Sequence, residues 1–431
     1  MKAVHLILAF CLLFLSGCAG LPQFGNETGP STTATQASGT GTSGNPPGTV
    51  DITPTPTGPV TLTIWLPPEF DPAADTAHGQ LLRARLDDFL EKRRDLRIEV
   101  RVKAPDGPGG ILDTLTTASA AAPLALPDLV AVPRPMLEAS ALKGLLHPYD
   151  GLSSALDDPD WFDYARQLSR VQNSTFGLPF AGDAVLLVYR EDGERTPPPN
   201  WQAALDAGDA ISFAAADPQS LFTLLQYQAA GGAVRDGEGR PYLDAESLET
   251  VLRLYREASQ AGISPFWLTQ LESDEQAWES FQDRRAPIVI TWASTYLQNA
   301  PSDSSAAPVL TTNGEPFTIT NGWVWAIASP QSEKQKHAAQ LAEFLTESSF
   351  LAEWTAAAGY LPTRPTALEN WDNPELVPLA NQILSTAGIY PPADILTRTG
   401  PALEQATVEV LKQESSPANA AQAAAEAVNT P

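Results

Sequence analysis

The chain has 431 residues, 43% of them hydrophobic, which is ample for cores and long for a single one. Acids outnumber bases 51 to 26, a net charge of −25, which argues against a nucleic-acid partner and against a body that lies on an anionic membrane. Two Cys and four His, without zinc spacings, argue against a disulfide scaffold and a His-based metal site, so neither metal nor cofactor is expected.

The first element is an apolar run from Val4 to Leu15. It is shorter than the roughly 20 apolar residues that a bilayer crossing needs. Lys2 ahead of it and Ser16 and Gly17 behind it suit a secretory signal. The quartet Leu15–Ser16–Gly17–Cys18 resembles the lipobox of bacterial lipoproteins. That resemblance implies cleavage before Cys18 and a diacylglyceryl group on its thiol. Cys11 falls in the removed segment, so Cys18 has no partner for an intramolecular disulfide. An ordinary signal peptide with a chance Cys is the alternative. Residues 1–17 are thus expected to be a signal and 18–60 a lipidated tether. The Gly, Ser, Thr and Pro of that tether bury too little surface to offset ordering entropy.

The body begins with Thr61–Leu66, which alternates and is β-branched, a strand. Leu82, Leu86, Phe89 and Leu90 share one helical face, and Leu96, Ile98, Val100 and Val102 alternate in a second strand. Strand, helix and strand at this spacing form a βαβ unit with a parallel pairing. A helix follows near Ile111–Ser119, then a buried strand Asp128–Val132 and a helix from Pro135 to Leu142. Ala184–Arg190 reads as a strand, Pro199 and Asn200 as the start of a helix, and "AISFAA" as a short strand. Helical patterns cover Gln219–Ala230, Ala245–Ala261 and Asp274–Arg284. Ala286–Trp292 and Gly322–Ser329 are strands, and "SEKQKHAAQLAEFLTES" is an amphipathic helix. The C-terminal third is helical with Pro-rich breaks and a frayed Ala-rich tail.

The order of these elements resembles the extracellular solute-binding proteins of ABC importers, in particular the sugar-binding branch. The segments that carry the resemblance include "TLTIWLPPEF", "LPDLVAVPRPMLEASALKGLLHPYD", "FGLPFAGDAVLLVYRED", "FQDRRAPIVITWAS", "NGWVWAIASPQSEKQKHAAQLAEFLTES" and "AGYLPTRPTAL". The resemblance implies an α/β, two-lobe periplasmic-binding-protein-like fold of type II. Each lobe would be a mainly parallel sheet flanked by helices, with the ligand cleft between. Lobe 1 would hold 61–182 plus 323–366, and lobe 2 would hold 183–322 plus 367–431. It also implies a monomer that captures a small-molecule ligand, a sugar, and delivers it to ABC permease subunits. The chain would sit outside the cytoplasm, on the cell membrane through the lipid on Cys18.

In open α/β sheets ligands bind beyond the carboxyl ends of the strands. That rule selects Trp65 to Glu69, Pro133–Arg134 and Trp292–Ser294. The resemblance adds Asp183 after "GLPF" and Trp323 in "NGWVW", and it pairs Glu69 and Asp183 with sugar-contacting acids and Trp292 with a stacking Trp. A sugar site needs flat aromatic faces for pyranose C–H groups and charged groups for hydroxyls. The candidate set is therefore Trp65, Glu69, Arg134, Asp183, Trp292 and Trp323. Four of them have a plainer role available: Trp65 and Trp323 as core, Asp183 as a hinge cap, Arg134 as a surface charge. Maltose binders carry an aromatic shortly before that Arg, where this chain has Val132, which departs from a maltodextrin pattern. Paired carboxylates such as Glu69 and Asp183 leave a glycosidase as an alternative, although "GxSxG", "HExxH", "GxGxxG" and "GxxxxGK[ST]" are all missing. A ferric-iron binder of the same fold would need clustered Tyr, and the nine Tyr are scattered. A sensor that presents ligand to a receptor stays open beside transport.

Overall fold

The computed structural model describes residues 58–193 and 195–430. The expected signal, Cys18 and all but the last three tether residues lie outside the described residues. The described strands are β1 (Val60–Leu66), β2 (Leu96–Val102), β3 (Leu129–Pro133), β4 (Arg170–Val171), β5 (Ser174–Thr175), β6 (Gly177–Arg190), β7 (Ile211–Ser212), β8 (Ile288–Trp292), β9 (Ser304–Ala307), β10 (Thr318–Ile327) and β11 (Ala387–Ile389). The main sheet runs β2-β1-β3-β10-β6-β8-β7, with β9 beside β6 and β11 beside β10.

The opening βαβ unit forms as its periodicity requires. β1 and β2 pair in parallel from Val60↔Leu96 to Leu66↔Val102. The helix Ala77–Lys92 between them buries Leu82, Leu86 and Phe89. The Thr76 hydroxyl accepts the Gly79 N–H at 3.1 Å and caps the helix, worth about 1 kcal/mol.

The sheet is mixed, where a mainly parallel one was expected. β1 with β2, β1 with β3 and β7 with β8 are parallel; β3 with β10, β10 with β6, and β6 with β8 are antiparallel. The reason is the path of the two long strands. Gly177–Ala184 of β6 pairs with β10, and Val185–Arg190 then pairs with β8 and β9. One strand so carries the chain from one set of strands to another, and β10 returns alongside it in the opposite direction. At the crossing Gly182 faces Gly322. A Cβ on Gly182 would lie 2.1 Å from the Tyr164 hydroxyl, and one on Gly322 would lie 2.4 Å from the Ala181 carbonyl oxygen. Only glycine permits this close approach.

Strand pleating sends side chains to two buried clusters. Leu62, Ile64 and Leu66 of β1, with Leu129 and Ala131 of β3, join Phe70, Phe180, Trp325 and Trp354 on one face. Trp65, Val130 and Val132 point the other way, into a cluster that continues through β6 and β8 to the C-terminal helices. The Ala-rich tail is not frayed. Pro417–Asn429 is a helix that buries Ala420, Ala421, Ala424, Ala425 and Val428. Small side chains at this spacing let it lie close against its neighbours, and the Asn429 side chain bonds both the N–H and the C=O of Leu243.

Candidate functional site

A cavity of about 380 Å³ opens where β3, β8 and the β6–β10 crossing meet. Its lining includes Pro133, Asp183, Asp217, Gln219, Asp274, Trp292, Asn321, Gly322, Trp323, Tyr360 and Tyr390. Two neighbouring recesses share residues with it. One, of about 280 Å³, holds Arg134 and Glu138 and shares Pro135, Gln219 and Tyr390; the other, of about 490 Å³, holds Glu69 and shares Tyr360. Together they form one groove along the carboxyl ends of the strands, where the sheet rule places ligands.

Four aromatic residues line the central part. Trp292 is the last residue of β8 and half-buried. Its ring lies 6.4 Å from that of Tyr390 at 73°, an edge-to-face arrangement. Trp323 is paired with Pro133 and Ala181, and the β-bulge that follows it re-aims the strand locally. Its ring packs edge-on against Phe70 at 4.9 Å, and Tyr360 leans on the same Phe70 at 5.8 Å. Tyr360 is set by Gly359, whose φ of 70° ends the helix Ser348–Ala358. Tyr390 follows β11, donates its backbone N–H to the Thr320 carbonyl at 2.8 Å and its hydroxyl to Gln219.

The polar groups differ in how far they are already committed. Asp183 accepts the Ala184 N–H at 2.9 Å, the Ser294 N–H at 3.0 Å and the Ser294 hydroxyl at 2.5 Å. It thereby ties β6 to the start of the helix Ala293–Asn299. Burial pushes its carboxyl up to about 6, against the pull of those hydrogen bonds. Asp217 accepts the backbone N–H groups of Gln219 and Leu221, both at 2.9 Å. Asp274 is pushed up to about 7, first by burial, then by the negative charges of Asp217, Glu275 and Asp183, while the Trp292 indole holds it down.

The six expected residues separate on inspection. Asp183, Trp292 and Trp323 face one cavity. Glu69 lies in the adjoining recess, where water displaced by the protein and the charge of Asp106 raise its pKa. Arg134 lines the other recess, but its guanidinium donates to the carbonyls of Leu168 (3.0 Å) and Arg170. Through that one nitrogen it fastens the end of the helix Asp163–Ser169. Trp65 is a correction. It is 2% exposed, on the buried face of β1 opposite to Ile64 and Leu66, with the Lys103 ammonium 4.9 Å from its ring. Pleat parity turns it into the core. Sequence reasoning did not name Asp217, Asp274, Tyr360 or Tyr390. Only Tyr360 carried a signal, within "AGYLPTRPTAL".

Comparison with solved structures finds the same fold at low identity. The cyclic alpha-maltosyl-1,6-maltose binding protein from Arthrobacter globiformis superposes with a TM-score of 0.71 at 19% identity, covering 86% of this chain and 98% of that one. The sugar-binding protein MalE from Xanthomonas citri gives 0.69 at 20% identity, covering 86% and 96%. A solute-binding protein from Thermotoga lettingae, bound with alpha-D-tagatose, gives 0.63 at 21%, covering 86% and 99%. No curated protein sequence matches the chain. Residues 84–378 match the family described as bacterial extracellular solute-binding protein, a family of binding proteins rather than enzymes. This chain, with its two crossing strands and the groove beside them, belongs to the bacterial extracellular solute-binding proteins.

Proposed function

We propose that this protein captures a small carbohydrate in the groove by closing two lobes over it and delivers it to an ABC permease. The observation that carries the reading is the central cavity, where Trp292, Trp323, Tyr360 and Tyr390 stand beside carboxylates and the Asn321 and Gln219 side chains. Rings take the C–H faces of a pyranose, and polar groups take its hydroxyls in a partly dry space. Two of the similar folds, from Arthrobacter globiformis and Xanthomonas citri, are those of sugar-binding proteins, which supports the same class of ligand.

In this reading the lobes are 61–182 plus 323–366 and 183–322 plus 367–431, and β6 and β10 are the straps between them. Sugar that touches both sides shifts an open–closed equilibrium toward closed. Trp292, Trp323 and Asp183 contact the ligand in the closed form, and Glu69 contacts a longer one. Cys18 carries the lipid that holds the body outside the cell membrane. The test is calorimetric titration with mono- and oligosaccharides. Saturable binding without any product supports the reading; turnover of a glycoside, or no binding to any sugar, rejects it. The anchor has its own test: labelled fatty acid should enter the wild-type chain and not Cys18→Ala.

A further inference from the structure

The central cavity exists because strands end there and four aromatic residues surround it; its carboxylates then bear on the charge of whatever fills it. Asp183, Asp217, Glu272, Asp274 and Glu275 all line this space, and among the described residues no lysine or arginine does. None of the five makes an ion pair among the described residues. They come from separate places: Asp183 from β6, Asp217 from the turn before the helix Leu221–Ala229, Glu272 from just before the helix Asp274–Gln282, and Asp274 and Glu275 from its first turn.

Folding has no evident need for all of them. Asp183 and Asp217 serve backbone N–H groups. Asp274 does not cap its own helix, because the Ser273 hydroxyl accepts the Gln276 N–H instead. Burial first, and then the neighbouring negative charges of Asp217, Glu275 and Asp183, raise its pKa. A hydroxyl can donate to a carboxylate but leaves the negative charge in place, and excluding water on closure makes that repulsion worse. An ammonium brings three donors and the opposite charge together.

We propose that the groove's ligand is a cationic carbohydrate, one with a free amino group, whose ring lies against Trp292 and whose ammonium sits between Asp274 and Asp217. This rests on the reading of the groove as a carbohydrate site. The test compares matched series on the full chain: glucosamine oligomers of one to four units, their N-acetylated forms, and glucose oligomers of the same linkage, with spermidine as a cation without a sugar. The amino series should bind at least tenfold tighter than both neutral series. That advantage should shrink as salt rises and should fall at least fivefold in Asp274→Asn and also diminish in Glu275→Gln, an exposed position. Equal or tighter binding of a neutral series overturns the charge assignment and leaves the sugar reading standing. Spermidine binding with no sugar bound overturns both the sugar reading and this proposal, as does no binding at all.

Discussion

The carboxyl ends of β1 and β8 follow the same sheet rule and each carries a Trp at or next to its last position, yet the two rings do different jobs. Trp65 near the end of β1 is 2% exposed, pairs with Val130 and belongs to the same buried cluster as Ile111 and Leu115. Trp292 at the end of β8 stays half-buried, faces the cavity and touches Tyr390 edge-on. Two features separate them. β1 is paired on both sides at Trp65, with Arg101 and Val130, and continues to Leu66, whereas β7 reaches only Ile288 and Val289 of β8, so that Trp292 is paired with β6 alone and the helix Ala293–Asn299 begins at once. The lesson is that strand-end position selects candidates, and pleat parity with the last paired residue decides among them.

The largest effect should come from removing the buried ring. Trp65→Ala should cost about 3–5 kcal/mol of stability by leaving a cavity, with no change in ligand affinity for the fraction that folds. Denaturant unfolding and titration of the folded protein check both halves. Next, Trp292→Ala should weaken carbohydrate binding at least tenfold, about 1.4 kcal/mol, while the protein stays folded. Unchanged affinity would remove Trp292 from the site and leave the two ends alike. Asp183→Asn should weaken binding less, about threefold on the scale of one altered hydrogen bond. A wild-type isotherm would make Asp183 a strap between β6 and Ser294 only.

The smallest effect concerns Asp274 and pH. Its folded pKa is raised to about 7, so between the ordinary carboxylate range and pH 7 the folded protein keeps a proton that the unfolded chain has lost. This group's contribution is therefore fully present below about pH 4 and is lost as pH rises through 7. Asp274→Asn should remove the loss: the variant should melt about 2 °C above wild type at pH 8 and level with it at pH 4. Equal melting at both values would show that burial and the neighbouring carboxylates place no penalty on the charged Asp274.

Much of the architecture was legible because its periodicities are plain. Leu96–Val102 and Ala245–Ala261 fall where alternation and the apolar stripe put them. The long crossing strand was only half legible. Its second half, Ala184–Arg190, is a clean apolar run, but Pro179 interrupts the first half. Pro lacks a ladder donor, and here it sits opposite Val324, at the register shift that tolerates it. The C-terminal helix was misread because alanines make no large apolar stripe, although they pack closely. In the site, Trp292 and Asp183 were reachable from strand ends and the resemblance. Tyr390 was not, because it follows a three-residue strand and no periodicity governs it. Asp274 was hidden by its place in a helix's first turn, where an acidic residue usually means nothing beyond the helix dipole.

A crystal structure of the protein with its tightest-binding sugar tests the central claim most directly. A pyranose ring lying flat on Trp292, within hydrogen-bond reach of Asp183 or Asp274 and enclosed from the Trp323 side, is the predicted result. A sugar bound elsewhere on the surface, with the space between Trp292 and Trp323 empty, would contradict it.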